Sequence, residues 1–380
     1  SMPHHGIPPE VVDDILDLVK DDTRTLLSCC RASRGFSARA KPLLWRSLEI
    51  TFLTANNGSN PLLERQSAIL TDALYTNPSL GKLCADLTIS WREKAVGDLV
   101  RMRTTPSAAT IKELFDLVPY VEEFSLVDKS AYPRPNSVVE KSIIAALASF
   151  SGWKPTLRSL SMPRLQDQTF SFILDKPKLQ SLRVEQASSK YPLPTDTTPC
   201  FQLHDLAFVL NVDESIFDFG TANSRLTLTT LSAPFSYPFS RIVPAFPNLR
   251  HLTVDFTLYE RSNHPLRWCQ DKREGLRLFL SSDEQLQTLA FHHPVGYPAE
   301  GRASLVGARL PRRLSKLVLS QWTTRPHVIE WYAQRGLETG DWPPTLKEFV
   351  WTSKDEVSEE EKASIEKMCL DGGLSKVSFD

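Results

Sequence analysis

The first fifty positions carry apolar residues with a helical period. Two apolar stripes run side by side between Val11 and Val19: Val11, Ile15 and Leu18 on one, Val12, Leu16 and Val19 on the next. Pro8 and Pro9 suit a first helical turn, and Glu10, Asp13 and Asp14 suit the positive end of the helix dipole. A helix is predicted from about Pro8 to Lys20. Asp21 or Asp22 can cap a second helix that ends near Arg31. A third begins near Ser33, with an interruption expected at Pro42 and Leu43-Leu44-Trp45 closing the unit. So short a segment cannot enclose both stripes. One packs inside the unit; the other must meet the rest of this chain or a dedicated partner.

Beyond residue 50 a different phrase recurs: proline, any residue, then apolar-x-x-apolar-x-apolar. It stands at Pro119 (Val121, Phe124, Leu126), Pro155 (Leu157, Leu160, Met162), Pro177 (Leu179, Leu182, Val184), Pro247 (Leu249, Leu252, Val254) and Pro344 (Leu346, Phe349, Trp351). With 41% apolar residues and 27 prolines the chain should show about 2 by chance. Copies without the proline start at Trp45, Cys84, Leu203, Leu228, Leu286, Leu314 and Leu374. From Leu157 to Leu249 the starts lie 22, 24, 25 and 21 residues apart, within the period of leucine-rich repeats. Each phrase predicts a short strand with one buried face, the proline ending what precedes it. Stacked neighbours would share a core that no single repeat can bury.

The N-terminal residues resemble an F-box. The resemblance rests on Ile7-Pro8-Pro9-Glu10, Ile15-Leu16, Leu26-Leu27, Cys30, Ser33-Arg34, Phe36 and Leu43-Leu44-Trp45, and its style is similar to F-box proteins of fungi. The chain departs from the family at Arg24 and at the pair Cys29-Cys30, where a larger apolar residue is usual. The resemblance implies a Skp-type adaptor as partner and, through it, a cullin-based ubiquitin ligase. It implies adaptor contacts at Ile7, Pro8, Val11, Val12, Ile15, Leu16, Leu26, Leu27 and Cys30. The repeats resemble the leucine-rich repeats of F-box proteins, except that the asparagine or cysteine expected three residues after the last strand anchor occurs only once, as Asn211. An irregular solenoid is therefore expected, with two unrelated α+β domains as the alternative.

Composition narrows the function. Forty-four Lys+Arg against forty-five Asp+Glu give a net charge of -1, with no nucleic-acid footprint. Six cysteines without a C-x-x-C pair point to a reducing compartment, cytoplasmic or nuclear. No apolar run is long enough for a membrane span. Ser1-Met2 reads as a cloning remnant, and no secretory signal is expected. Phosphate loops, nucleophile elbows and H-E-x-x-H helices are missing from the sequence. Neither His292-His293 nor Cys200 with His204 has the further groups that a metal or a nucleophile needs. No metal, cofactor or catalytic residue is expected.

The fold expected is α/β: a helical F-box over residues 3–50, then a leucine-rich-repeat-like domain over 51–380 with a parallel strand stack. A C-terminal cap from about residue 356 would comprise a helix capped by Ser358 and Glu361 and a strand at Leu374, Val377 and Phe379. Outward strand positions become candidates for target binding: Arg183, Arg250 and His251 lean basic, and Ala290, Val318 and Val350 suggest a late apolar stripe near Trp322, Trp331 and Trp342. The function expected is substrate receptor of a Skp–cullin–F-box ligase. The rivals are a leucine-rich scaffold acting without a cullin, and a hydrolase with an unrecognised site.

Overall fold

The computed structural model describes residues 8–54, 62–93, 107–130, 138–165, 167–187, 198–209, 214–234, 246–255, 274–276, 278–281, 284–292, 310–322, 333–340, 342–353 and 357–379. It is a mixed α/β structure of two compact units: Ser1–Pro163 with Gln168–Lys178, and Arg164–Asp167 with Leu179–Asp380.

The first unit opens with three helices, α1 (Pro9–Leu18), α2 (Thr23–Ala32) and α3 (Arg34–Arg46). The Asp22 carboxylate caps α2 by accepting from the amides of Arg24 (3.0 Å) and Thr25 (3.2 Å). The Ser33 hydroxyl caps α3 by accepting from the Phe36 amide at 3.2 Å. Pro42 does not interrupt α3; the helix runs through it. A proline there removes one backbone hydrogen bond, and the packing of Leu43 and Leu44 just beyond it against the helical core offsets that loss.

Four parallel strands follow: β1 (Ser47–Thr54), β3 (Asp86–Glu93) and β4 (Glu123–Asp128) in the first unit, and β5 (Ser159–Leu165), of which residues 159–163 belong to that unit. The two-residue β2 (Leu62–Leu63) pairs antiparallel with β1, and no repeat phrase anticipates it. Between the strands run α4 (Arg65–Thr76), α5 (Ala108–Leu117) and α6 (Val138–Ala148); α7 (Asp167–Leu174) follows β5. Leu48 and Ile50 on β1, Leu87 and Ile89 on β3, and Phe124 on β4 are buried with Ile111, Phe115, Ile143 and Leu147 of α5 and α6. Gly81 stands in the turn before β3 because a Cβ there would meet the Leu117 carbonyl oxygen at 1.9 Å.

The second unit holds β6 (Ser181–Ala187), β7 (Asp205–Phe208), β8 (Thr230–Pro234), β9 (His251–Asp255), β10 (Thr288–His292), β11 (Lys316–Trp322), β12 (Glu348–Ser353) and β13 (Lys376–Phe379). Each is parallel to the next, in sequence order. Parallel neighbours need a crossover connection. Helix α8 (Glu214–Thr221) is one such crossover, and α9 (Glu359–Asp371) joins β12 to β13. The Ser358 hydroxyl accepts from the Glu361 amide at 3.3 Å, and Glu361 Oε2 accepts from the Ser358 amide at 3.2 Å.

Each of the twelve parallel strands begins two residues after a sequence anchor, from Trp45 before β1 to Leu374 before β13. The backbone repeats with the same regularity. The His204 carbonyl accepts from the amides of both Thr229 (2.9 Å) and Thr230 (3.0 Å), and the Thr229 carbonyl accepts from Arg250 (2.8 Å) and His251 (3.0 Å). The Arg250, Gln287, Ser315 and Lys347 carbonyls continue the series to Lys376. The first unit has the same arrangement at Ala85 and Glu122.

Side chains supply what an asparagine ladder would. Thr156 Oγ1 donates to the Val121 carbonyl (2.8 Å), Thr227 Oγ1 to Leu203 (2.8 Å), Asn248 Nδ2 to Leu226 (2.7 Å) and Thr345 Oγ1 to Leu314 (2.9 Å). Each donor stands immediately before its repeat's first apolar anchor, and each acceptor lies one repeat earlier. Asn211 lies outside the described residues.

Candidate functional site

The helical unit sorts its two stripes cleanly. Val12 (8% exposed) and Leu16 (1%) pack with Leu26 (1%) and Ala40, flanked by Val19, Cys29, Cys30, Phe36, Leu43 and Leu44. The other stripe is uncovered: Val11 is 44% exposed, Ile15 41% and Leu18 86%, and Leu27 on α2 is 40% exposed. Helix α2 settles the choice, because Leu26 inserts against Val12 and Leu16 while Leu27, one residue on, faces away.

This sorting corrects part of the expected contact set. Val12, Leu16 and Leu26 form the unit's own core and present little surface to a partner. Cys30 is half-buried against that core. Pro8 is exposed, with the Val11, Ile15 and Leu27 surface open as well. Ile7 lies outside the described residues. Leu18, a member of the stripe that is absent from the expected contact set, is its most exposed residue. An ion pair between Asp13 and Arg39 ties α1 to α3 on another side.

On the second unit's strands, register aligns the outward positions. Arg183, Ala207, Ser232, Thr253, Ala290, Val318, Val350 and Ser378 form one row across β6 to β13. Arg183 is exposed, but Ala290 (7%) and Val350 (8%) are buried and Val318 is partly buried. The apolar stripe expected there offers little surface, because side chains on strands about 4.8 Å apart shield one another. Of the nearby tryptophans, Trp342 is buried against Phe349 with ring centroids 5.5 Å apart, Trp322 ends β11, and Trp331 lies outside the described residues.

Arg250 and His251 are exposed at the entry to β9. In the row starting at His251, Lys316, Glu348 and Lys376 are consecutive. Glu348 Oε1 accepts from Lys376 Nζ (2.9 Å) and Lys316 Nζ (3.1 Å). The Lys376 hydrogen bond leads in holding the Glu348 carboxyl below its ordinary value.

The first unit carries a polar network of its own. Ser90 Oγ donates to Glu49 Oε1 at 2.8 Å, Thr51 Oγ1 lies 2.9 Å from Ser90 Oγ, and the Thr51 amide donates to Ser67 Oγ at 2.8 Å. Lys129 pairs with Glu49, and Arg92 pairs with Glu64 at 2.6 Å. This network knits β1, β3 and α4 together.

Among the described residues no cluster of three or more His, Cys, Asp or Glu could hold a metal, and no helix is long and apolar enough to cross a membrane. Cys84 and Cys369 are buried, and burial pushes both thiols up to about 12. No family model and no curated protein matches the chain.

Proposed function

We propose that the chain is a substrate receptor of a Skp–cullin–F-box ubiquitin ligase: α1 to α3 take a Skp-type adaptor, and the strand arrays take a target protein. On this reading the arrays are an irregular leucine-rich-repeat solenoid; sequential parallel strands with a repeating backbone ladder support it. The observation that carries the proposal is the uncovered stripe of Val11, Ile15 and Leu18 beside Leu27, next to a stripe already sealed inside the unit. An apolar patch left open beside a complete core marks an interaction surface. The chain itself supplies geometry: it raises the concentration of a bound target near the catalytic assembly that the adaptor brings. Such a receptor works in the cytoplasm or the nucleus.

Calorimetric titration of the full chain with a Skp-type adaptor tests the proposal. A buried apolar side chain is worth about 1.5–3 kcal/mol, so the double variant Ile15→Asp with Leu27→Asp should weaken binding about a hundredfold or more with the fold intact. A well-folded wild-type chain that binds no adaptor overturns the proposal and favours a scaffold acting without a cullin.

A further inference from the structure

The entry edge of the last five strands is strongly cationic. Register places His251, Thr288, Lys316, Glu348 and Lys376 side by side on β9 to β13. The shared-carbonyl ladder places Arg250, Gln287, Ser315, Lys347 and Ser375 side by side one position earlier. Arg250, His251, Lys347 and Lys376 are exposed, as are Arg312 and Arg313 in the turn before β11. Arg313 Nη1 donates to the neutral Gln285 Oε1 at 3.0 Å.

The acids along this edge do not balance it. Glu348 lies between two lysines, so the trio of Lys316, Glu348 and Lys376 keeps a net positive charge. Glu284 is exposed near the start of β10, Asp371 is exposed ahead of β13, and Asp205 stands two strands before β9. Among the described residues, with Glu348, the acids at the entry edge of the last five strands are three against the six of Arg250, Arg312, Arg313, Lys316, Lys347 and Lys376. Lys347, next to Glu348, adds a further exposed ammonium. Between the cations stand Gln287, Thr288, Ser315 and Ser375, all polar and uncharged.

We infer that this edge binds an extended polypeptide segment carrying closely spaced anionic groups, carboxylates or phosphates. The inference rests on the receptor reading for its biological setting and names the chemistry of the target segment. Five parallel strands span about 19 Å, which about six extended residues cover. Strands about 4.8 Å apart do not match the roughly 6.8 Å between alternate residues of such a segment, but long lysine and arginine side chains can reach across the difference. Separate lysines act as point charges that tolerate either anion.

Fluorescence anisotropy on the full chain tests the inference, with a labelled deca-glutamate peptide and a peptide of alternating phosphoserine and glycine as probes. At low salt at least one binds, and raising the salt weakens it. The triple variant Lys316→Gln, Lys347→Gln and Lys376→Gln weakens that binding about tenfold, the product of three charge contacts near the surface. The control Lys141→Gln, Lys154→Gln and Lys178→Gln leaves it unchanged. Thermal melting of both triple variants establishes that they are folded. Binding of deca-glutamate assigns the edge to carboxylates, and binding of the phosphopeptide alone assigns it to phosphates. Three results overturn the inference: neither peptide binds, the control weakens binding equally, or an oligouridylate binds as tightly as the peptides. The adaptor titration is independent, so adaptor binding without peptide binding overturns the inference alone, and the reverse overturns the receptor reading alone.

Discussion

Trp153 Nε1 donates to the Val118 carbonyl at 2.6 Å and so ties the turn before β5 to the turn before β4. Trp153 has φ 55, left-handed backbone for a bulky residue. It holds that conformation because its ring is the hub of the first unit's aromatic core, with centroids 4.8 Å from Phe150, 5.0 Å from Phe115 and 5.0 Å from Phe124. Trp153→Phe keeps an apolar ring but leaves the buried carbonyl unpaired. It should cost about 2–4 kcal/mol in urea unfolding, from the lost hydrogen bond and the unfilled volume together. A loss below about 1 kcal/mol would show that the indole hydrogen bond contributes little.

The helical unit separates stability from binding at neighbouring positions. Leu16 is 1% exposed and Ile15 is 41% exposed on the same helix. Leu16→Ala should destabilise by about 2–5 kcal/mol, in the range for core leucines. Ile15→Ala should cost less than about 1 kcal/mol, as surface changes do. Chemical denaturation followed by circular dichroism distinguishes them, and equal losses would mean that the uncovered stripe is not a surface.

Much of this architecture was legible because one physical rule generates it. A strand with one buried face must repeat its apolar residues at alternate positions, so Leu249, Leu252 and Val254 announce β9 as plainly as Leu346, Phe349 and Trp351 announce β12. The two stripes of α1 were legible for the same reason. Which stripe would face inward was not, because Leu26 and Ala40 decide it across three helices. Trp153 was illegible as a core residue, since its partners stand elsewhere in the sequence and its own segment reads as a turn. Pro42 was misjudged by a local rule that tertiary packing overrides. The ladder of Thr156, Thr227, Asn248 and Thr345 did leave a signal, a hydrogen-bonding residue just before the first anchor, at the opposite end of the strand from where asparagine is expected.

That ladder can be tested one rung at a time. Thr345 Oγ1 lies 2.7 Å from the Arg312 carbonyl oxygen and 2.9 Å from the Leu314 carbonyl oxygen, and its one hydroxyl proton is shared between them. Thr345→Val preserves shape and removes the donor, so it should cost about 1 kcal/mol. Thr227→Val, which removes the bond to Leu203, should cost a similar amount. The rungs share no partners, so the double variant should lose the sum. A double variant as stable as the parent would show that water replaces these bonds fully.

Burial sets the reactivity of the thiols. Cys84 and Cys369 are pushed up to about 12 by burial, and Asp86 beside Cys84 acts in the same direction. The thiolate is the reactive form, and at pH 8 it is about one part in ten thousand of such a thiol. Maleimide should therefore leave both residues unmodified in the folded chain and modify both in urea, while the exposed Cys200 reacts in either state. Peptide mapping by mass spectrometry after timed quenching reads this directly. Rapid modification of Cys369 in native buffer would place α9 away from the core that buries it here.

Two carboxylates on the first strands should respond to acid in opposite ways. Burial raises the Glu49 carboxyl, but the hydrogen bonds from Lys129 and Ser90 outweigh it, and the group ends below its ordinary 4.5. A carboxyl lowered on folding contributes stability that is full above its unfolded value and fades as pH falls through the folded one. Asp86 is raised above its ordinary 3.8, first by burial and then by Glu122, against the pull of Arg46. Its ionised form opposes folding, and that opposition disappears as pH falls through the raised value. Glu49→Gln should therefore flatten the fall in urea midpoint below pH 4.5, while Asp86→Asn should steepen it and leave neutral-pH stability unchanged or higher. Both carboxylates are partly exposed, so the changes should be small and should shrink in added salt. Midpoints measured from pH 3 to 7 decide the matter, and parallel acid profiles for the two variants would show that the Lys129 and Ser90 contacts do not set the charge of Glu49.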